Sequence, residues 1–275
     1  AAAMMVFVGM ARKAERDLVW RVNVQGTANV IAACQAAGVG RLVYTSSANV
    51  SIEGEILEAD EEAAGYATHF YDLYGPSKAE AERLVLAANS ASLATAALRP
   101  GGLWGPGSGG YMVQTFLSEL AADRFVATMG DPKSIADNTH VHNLVRAERL
   151  AADALLARPE VVGGRAYFIT DEERHNVMEW FRPIAEGLGY RYPTRNVPGA
   201  LAWVIAWFGE VAYYLGGPVP PITRLAVMKL TQGSSFLNDR ARAELGYEPL
   251  LKRDEGVALH LADYRATLDK LKAAR

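Results

Sequence analysis

The 275 residues carry a formal net charge of −3, half are hydrophobic and 21% are charged, a globular composition too apolar for a disordered segment. Lys and Arg are scattered without the basic stripe that holds a phosphate backbone, which argues against nucleic acid as a partner. A single cysteine, Cys34, excludes an internal disulfide, and its apolar helical setting predicts a small buried thiol.

The first ten residues are apolar with no basic region ahead of them, so they read as the edge of a core strand rather than a signal peptide. From Arg21 to Ala37, Val24, Ala28, Ile31 and Ala32 recur at helical spacing, and Gly38 stands where a left-handed cap ends a helix. Arg41 to Thr45 is β-branched and aromatic between Gly40 and Ser46-Ser47, the pattern of a buried strand. Pro76 opens a helix running to Asn89, as proline does in a first turn. Thr95 to Leu98 predicts a second strand, stopped by Arg99-Pro100.

A Gly/Pro-rich loop follows from Gly101 to Gly110, then a helix from Val113 to Ala121. Val145 to Ala157 predicts a further helix and Arg165 to Ile169 a further strand, after which the chain reads as mostly helical. Alternation of helices with strands predicts an α/β fold, a doubly wound parallel sheet with helices on both faces. Ala200 to Leu215 is conspicuously apolar, with Glu210 its only charge. Sixteen residues fall short of the ~20 that span a bilayer. The segment is therefore expected to be a core helix, a wall for a greasy substrate, or a surface touching a membrane or partner.

Tyr74 and Lys78 are four apart, a spacing that puts a phenol and an ammonium on one face of a helix. Alone the pattern is weak. Its setting strengthens it, because Ser47 follows one strand, Tyr74 begins the next helix, and Leu98-Arg99-Pro100 ends the next strand. All three converge on the sheet edge where doubly wound folds bind ligands.

Asn23-Val24-Gln25-Gly26-Thr27, Leu42 to Ala48, Tyr74 to Lys78, Leu98-Arg99-Pro100 with Gly105-Pro106-Gly107, and Thr139 to Leu144 together resemble the extended short-chain dehydrogenase/reductases. Within that family they resemble the 3β-hydroxysteroid dehydrogenase and sterol-4-carboxylate dehydrogenase branch. The resemblance implies a cofactor, NAD or NADP, with Tyr74 as general acid/base, Lys78 on the nicotinamide ribose and Ser47 on the substrate oxygen. It also implies cofactor contacts at Pro100, Gly101 and Ala2, with Asn23 supporting the site. A phenol with an ordinary pKa near 10 is a poor base at neutral pH, so a neighbouring cation is what such chemistry requires.

The resemblance further implies a Rossmann-like domain over residues 1–105 and 137–170 lacking its first strands, with a substrate region over 106–136 and 171–275. In this family a strand, a glycine-rich turn and a helix come first, and the portion absent ahead of Ala1 would be on the order of 60 residues. The expected substrate is an apolar, sterol-like secondary alcohol or its ketone. Long-chain 3-oxo acid reductases, sugar-nucleotide epimerases and a non-catalytic sensor are the competing readings. A cytoplasmic homodimer is expected, with peripheral membrane contact through 200–215 as a further possibility.

Two patterns are discounted. Gly105, Gly107 and Gly110 spell Gly-x-Gly-x-x-Gly but do not come directly off a strand opening the first βαβ unit. His140 and His142 alternate as strand-borne metal ligands do, yet no third ligand with suitable spacing accompanies them, so no metal is expected.

Overall fold

The computed structural model describes residues 4–5, 12–106 and 110–275, with only the backbone considered at 110 and 111. The expected contact at Ala2 lies outside these residues, as does Gly107.

Helix α1 (Lys13–Trp20) runs through a π-helical turn (Arg21–Gln25) into α2 (Gly26–Ala36), so the predicted helix begins eight residues earlier than its apolar repeat. Gly38 takes φ +67° past its end, and the Val39 amide closes the cap on the Cys34 carbonyl at 2.8 Å. Strand β1 (Arg41–Thr45) follows, then α3 (Tyr74–Ala87), β2 (Ala94–Pro100), β3 (Gly102–Trp104) and α4 (Gly110–Ala121). Next come β4 (Asn138–His140), α5 (Val141–Ala157) and β5 (Arg165–Ile169), and the chain continues through α6 (Gly199–Tyr214), α7 (Arg224–Thr231) and α8 (Arg253–Ala273).

Strands β1, β2 and β5 form a parallel sheet in that order, with Thr45 opposite Leu98 and Leu98 opposite Tyr167. One face buries Leu98, Tyr167 and Ile169 against Leu144, Ala147, Ala151 and Leu155 of α5. The other face packs Leu42 and Tyr44 against Ile31 of α2 and Val85 of α3. Helices on both faces of a parallel sheet make this an α/β fold of the doubly wound kind.

A second core joins Trp104, Phe116, Leu117 and Leu120 to Trp180, Phe181, Val257 and Tyr264, and so clamps α4 against α8. The later part of the chain is less purely helical than expected. Short strands at Ile56–Ala59, Ser234–Phe236, Ile135–Ala136 and His175–Asn176 make a second, four-stranded sheet. Ala241, Leu245 and Tyr247 pack under the main sheet beside α5.

Two differences from the sequence reading lie at the end of β2. Strand β2 continues through Arg99 to Pro100 instead of stopping before them. The Ser46 amide bonds the Leu98 carbonyl at 2.7 Å, so the next residue of that parity, Pro100, points its missing N–H past the end of β1. Within the glycine-rich stretch, β3 pairs with β4 in parallel register. Gly101 and Gly102 are needed there for close approach: a Cβ on Gly101 would lie 2.4 Å from the Asp137 carbonyl oxygen, and one on Gly102 2.5 Å from Asn138 Oδ1.

Candidate active site

Ser47 follows β1 in extended backbone and caps a short 3₁₀ turn (Ala48–Ser51), its Oγ accepting from the Asn49 amide at 3.2 Å. Tyr74 opens α3, two residues before Pro76, and its phenol is hydrogen-bonded to Ser47. One turn along, Lys78 is 4% exposed, donates to the Thr45 carbonyl at 2.6 Å, and holds its ammonium 4.1 Å from the centre of the Tyr44 ring. The structure therefore brings Ser47, Tyr74 and Lys78 to one end of β1. The other hydroxyls of the run are placed elsewhere: Thr45 Oγ1 donates to Glu148 Oε1 at 2.6 Å, and Ser46 Oγ is buried without a partner among the described residues.

Burial pushes Tyr74 up to about 12, the bond from Ser47 opposing and the nearby Asp72 carboxylate adding to the rise. Burial also pushes Lys78 down to about 8, with the Glu82 carboxylate working to hold its proton on. At neutral pH the pair is phenol and ammonium.

Asn23 lies in the π-helical turn, a local irregularity often found beside functional groups. Its amide is committed, exchanging bonds of 2.8 and 2.9 Å with the Met4 backbone and donating to Ser77 Oγ at 2.9 Å. It thereby ties residue 4 to the first turn of the Tyr74 helix. Pro100 ends the middle strand, and the Gly101 amide donates to Thr139 Oγ1 at 2.8 Å, which itself donates to the Ile169 carbonyl at 2.6 Å.

His140 and His142 do not alternate on a strand. His140 ends β4 and caps α5, its Nδ1 accepting from the His142 amide at 3.1 Å, while His142 belongs to the helix. The His140 imidazole is buried against Trp104, and its Nε2 lies 3.0 Å from Nε2 of His260. Asp171 braces the joint by accepting from the His140 amide (2.7 Å), Asn143 Nδ2 (2.6 Å) and Trp104 Nε1 (2.7 Å). Among the described residues no group of three or more His, Cys, Asp or Glu could hold a metal ion.

The sequence reading passed over several neighbours of the site. Glu82 is fully buried one turn beyond Lys78 and pairs with Arg99 at 2.6 Å, while Tyr66 donates to it at 2.8 Å. The Lys78–Glu82 spacing was a usable signal for the first contact. Asp72, Asn49 and Lys229 carried none, because nothing local marks them as neighbours.

The apolar segment forms α6 and is only partly core: Ala202, Ala206 and Glu210 face inward, while Leu201, Val204, Ile205 and Phe208 are exposed. Glu210 is fully buried and binds both the amide and guanidinium of Arg224, fixing the start of α7. Trp203 meets Tyr71 edge-on at 5.5 Å between ring centres, which puts α6 against the loop leading into Tyr74.

Residues 2–198 match the model of the 3-beta hydroxysteroid dehydrogenase/isomerase family. The chain is 38% identical over 247 residues to short-chain dehydrogenase/reductase family 42E member 1 of Bos taurus, an alignment covering 85% of this chain and 63% of that protein. It is 37% identical over 259 residues to 3 beta-hydroxysteroid dehydrogenase/Delta 5→4-isomerase of Mycobacterium tuberculosis, covering 94% of this chain and 70% of that one. With 3beta-hydroxysteroid-dehydrogenase/decarboxylase isoform 1 of Arabidopsis thaliana it shares 39% identity over 251 residues, covering 88% and 57%. The chain thus spans less than two thirds of the length of the Bos taurus and Arabidopsis thaliana relatives.

Among solved structures, an epimerase from Methanothermobacter thermautotrophicus superposes with a TM-score of 0.73 at 19% identity, covering 99% of this chain and 73% of that one. UDP-glucose 4-epimerase of Thermotoga maritima gives 0.71 at 20% identity, covering 98% and 76%. These likenesses concern the fold. With the family match running over residues 2–198 and the Mycobacterium tuberculosis relative covered for 70% of its length, the chain belongs to the 3-beta hydroxysteroid dehydrogenase/isomerase family.

Proposed function

We propose that the protein is an NAD(P)-dependent dehydrogenase interconverting a secondary alcohol and a ketone on an apolar, sterol-like substrate. The observation that carries the reading is the meeting of Ser47, Tyr74 and Lys78 at the end of β1, one hydroxyl on the phenol and one ammonium a helical turn away. In this reading Tyr74 takes the carbinol proton during oxidation and returns it during reduction. Ser47 holds the same oxygen, and Lys78 stabilises the phenolate by charge.

The residues present fit a nicotinamide nucleotide. Lys78 spends one donor on the Thr45 carbonyl, which leaves others for ribose hydroxyls. Pro100 and Gly101, at the end of β2, are the positions that would meet its carboxamide. When bound, the nicotinamide supplies the hydride acceptor or donor. The apolar wall of the substrate site would come from Trp203 and Tyr71.

The test is nicotinamide absorbance with 3β-hydroxysteroids, using UDP-sugars as the contrasting class, on the chain and on the product of its whole reading frame. Tyr74→Phe is expected to lower steroid turnover by about 100- to 10,000-fold while cofactor affinity holds. Steroid turnover that survives this substitution would overturn the assignment.

We propose in addition that α6 rests on an anionic membrane surface, the protein being otherwise cytoplasmic and dimeric. No described helix is long and apolar enough to cross a bilayer. Support comes from the outward apolar side chains of α6 and from the exposed Lys13, Arg16 and Arg21 on the neighbouring helical run. That run is anchored by Arg12, whose guanidinium donates to the Tyr213 and Gly217 carbonyls, both at 3.0 Å.

A further inference from the structure

His140 and His260 are both buried where α8 packs beside the end of β4, their rings within 5° of parallel and their Nε2 atoms 3.0 Å apart. The surrounding hydrogen bonds fix where their protons sit. His140 Nδ1 accepts from the His142 amide at 3.1 Å, so that nitrogen carries no hydrogen and the proton of the neutral ring is on Nε2. His140 therefore donates to His260. The Nε2 of His260 must be bare, and its own proton lies on Nδ1, the atom that faces the Asp263 carboxylate at 4.0 Å.

The contact has room for one proton. Another on His260 would go to Nε2 and oppose the hydrogen already there, and another on His140 would go to Nδ1 and expel the amide that caps α5. Either would also place a cation in an apolar setting, since the Trp104 ring stands edge-on to His140 at 4.6 Å and a Cβ on Gly256 of α8 would strike that ring. Exposed His142, 4.8 Å from the His140 ring, adds positive charge when protonated, whereas Asp263 favours a proton on His260. Tyr264, 6.4 Å from His260, has its hydroxyl on the Gly105 carbonyl. Asp171 takes its donors from β3, β4 and α5 and none from α8, so its own titration is common to a bound and a detached α8. Burial, then the neighbouring imidazoles, lowers His140 to about 4, and burial with His142 lowers His260 against the pull of Asp263.

We propose that His140 and His260 form an acid-sensitive latch, holding α8 to the end of β4 while both imidazoles are neutral and releasing it as either takes up a second proton. Through Val257, Tyr264 and Leu268, α8 closes the second core over Trp104, Phe116 and Trp180. The residue before His140 is Thr139, whose hydroxyl accepts the Gly101 amide at the end of β2. Release therefore loosens α4 and α8 from the sheet edge at which β2 ends. A free imidazole binds a proton near pH 6.5 and a latched one only well below it, so the closed form is fully stable above about 6.5 and loses ground as the pH falls from there toward about 4. The latch operates whether or not the protein is a dehydrogenase.

The experiment measures amide hydrogen exchange along α8 at about pH 7.5 and about pH 5.5, corrected for the intrinsic rate, in wild type, His260→Gln and the double variant His140→Asn with His260→Gln. Glutamine at 260 still accepts from His140 Nε2–H but takes up no proton, and asparagine at 140 keeps a cap on α5. Between the two pH values each imidazole freed on opening contributes a factor of about ten. The opening constant of α8 is therefore expected to rise about 100-fold in wild type, about 10-fold in His260→Gln and not at all in the double variant. A wild type whose α8 does not open with acid, or a double variant that opens as steeply as wild type, would overturn the latch. If the double variant fails to fold, imidazole nitrogen NMR of wild type decides. Protons on Nε2 of His140 and Nδ1 of His260, with both rings still neutral in the closed form at pH 5.5, sustain the latch; the opposite tautomers, or either ring titrating near 6.5 in the closed form, remove it.

Discussion

Burial raises the Tyr74 phenol to about 12 and lowers the Lys78 ammonium to about 8, so the residues alone do not poise Tyr74 for proton abstraction at neutral pH. Positive charge delivered by the oxidised nicotinamide ring would act on Tyr74 in the required direction, whereas Asp72 acts against it. Removing that negative charge must lower the phenol's pKa. Asp72→Asn, which keeps the acceptor that caps α3, is therefore expected to shift the acidic limb of the oxidation pH profile to lower pH. An unchanged limb in kcat/KM between pH 6 and 10 would show that Asp72 does not act on Tyr74. The candidate residues Ser47, Tyr74 and Lys78 could be singled out in sequence because they sit at element ends with a fixed spacing. Asn49 and Lys229 were not, being brought together across 180 positions by the packing of α7.

Helix α3 transmits the site into the core. Its next turn beyond Lys78 is Glu82, which pairs with the guanidinium of Arg99 on β2 and takes the Tyr66 hydroxyl, with both partners of the ion pair buried. Replacing one member of such a pair leaves the other charged and dry. Glu82→Gln is expected to cost about 3 kcal/mol in chemical denaturation. Because Glu82 also supports the proton on Lys78, the same variant is expected to move the alkaline limb of the pH profile below about 8, the native position of Lys78. A stability loss with no movement of that limb would separate the two roles. Strands β1 and β5 agree with the sequence reading to the residue, because uninterrupted branched and aromatic runs have one buried solution. The extension of β2 and the existence of β3 were illegible, since Arg99, Pro100 and the paired glycines are strand breakers by composition. Only Glu82, the shortness of β1 and the close approach of Asp137 admit them.

For the molecule as a whole, helix α6 has two unlike sides. Its inner side tethers α7 through Glu210 and meets the loop leading into Tyr74 through Trp203, whereas Leu201 is 54%, Ile205 48% and Phe208 62% exposed on the outer side. Hydrophobic composition alone announced the segment, but which side would be buried depended on α7 and the Tyr71 loop, both remote in sequence. In the proposed reading, an apolar outer side on the helix that meets the Tyr71 loop would let an apolar substrate arrive from a lipid surface without crossing water, which ties the proposed membrane contact to the proposed reaction. Transferring each exposed side chain from water contributes roughly 1.5–3 kcal/mol. Ile205→Ser with Phe208→Ser is therefore expected to weaken binding to phosphatidylcholine vesicles containing phosphatidylserine by at least about tenfold while steroid turnover in detergent persists. Wild-type protein that stays free of vesicles at every lipid concentration, yet sediments as a dimer that the same substitutions dissociate, would reassign this side of α6 to contact between two copies of the chain.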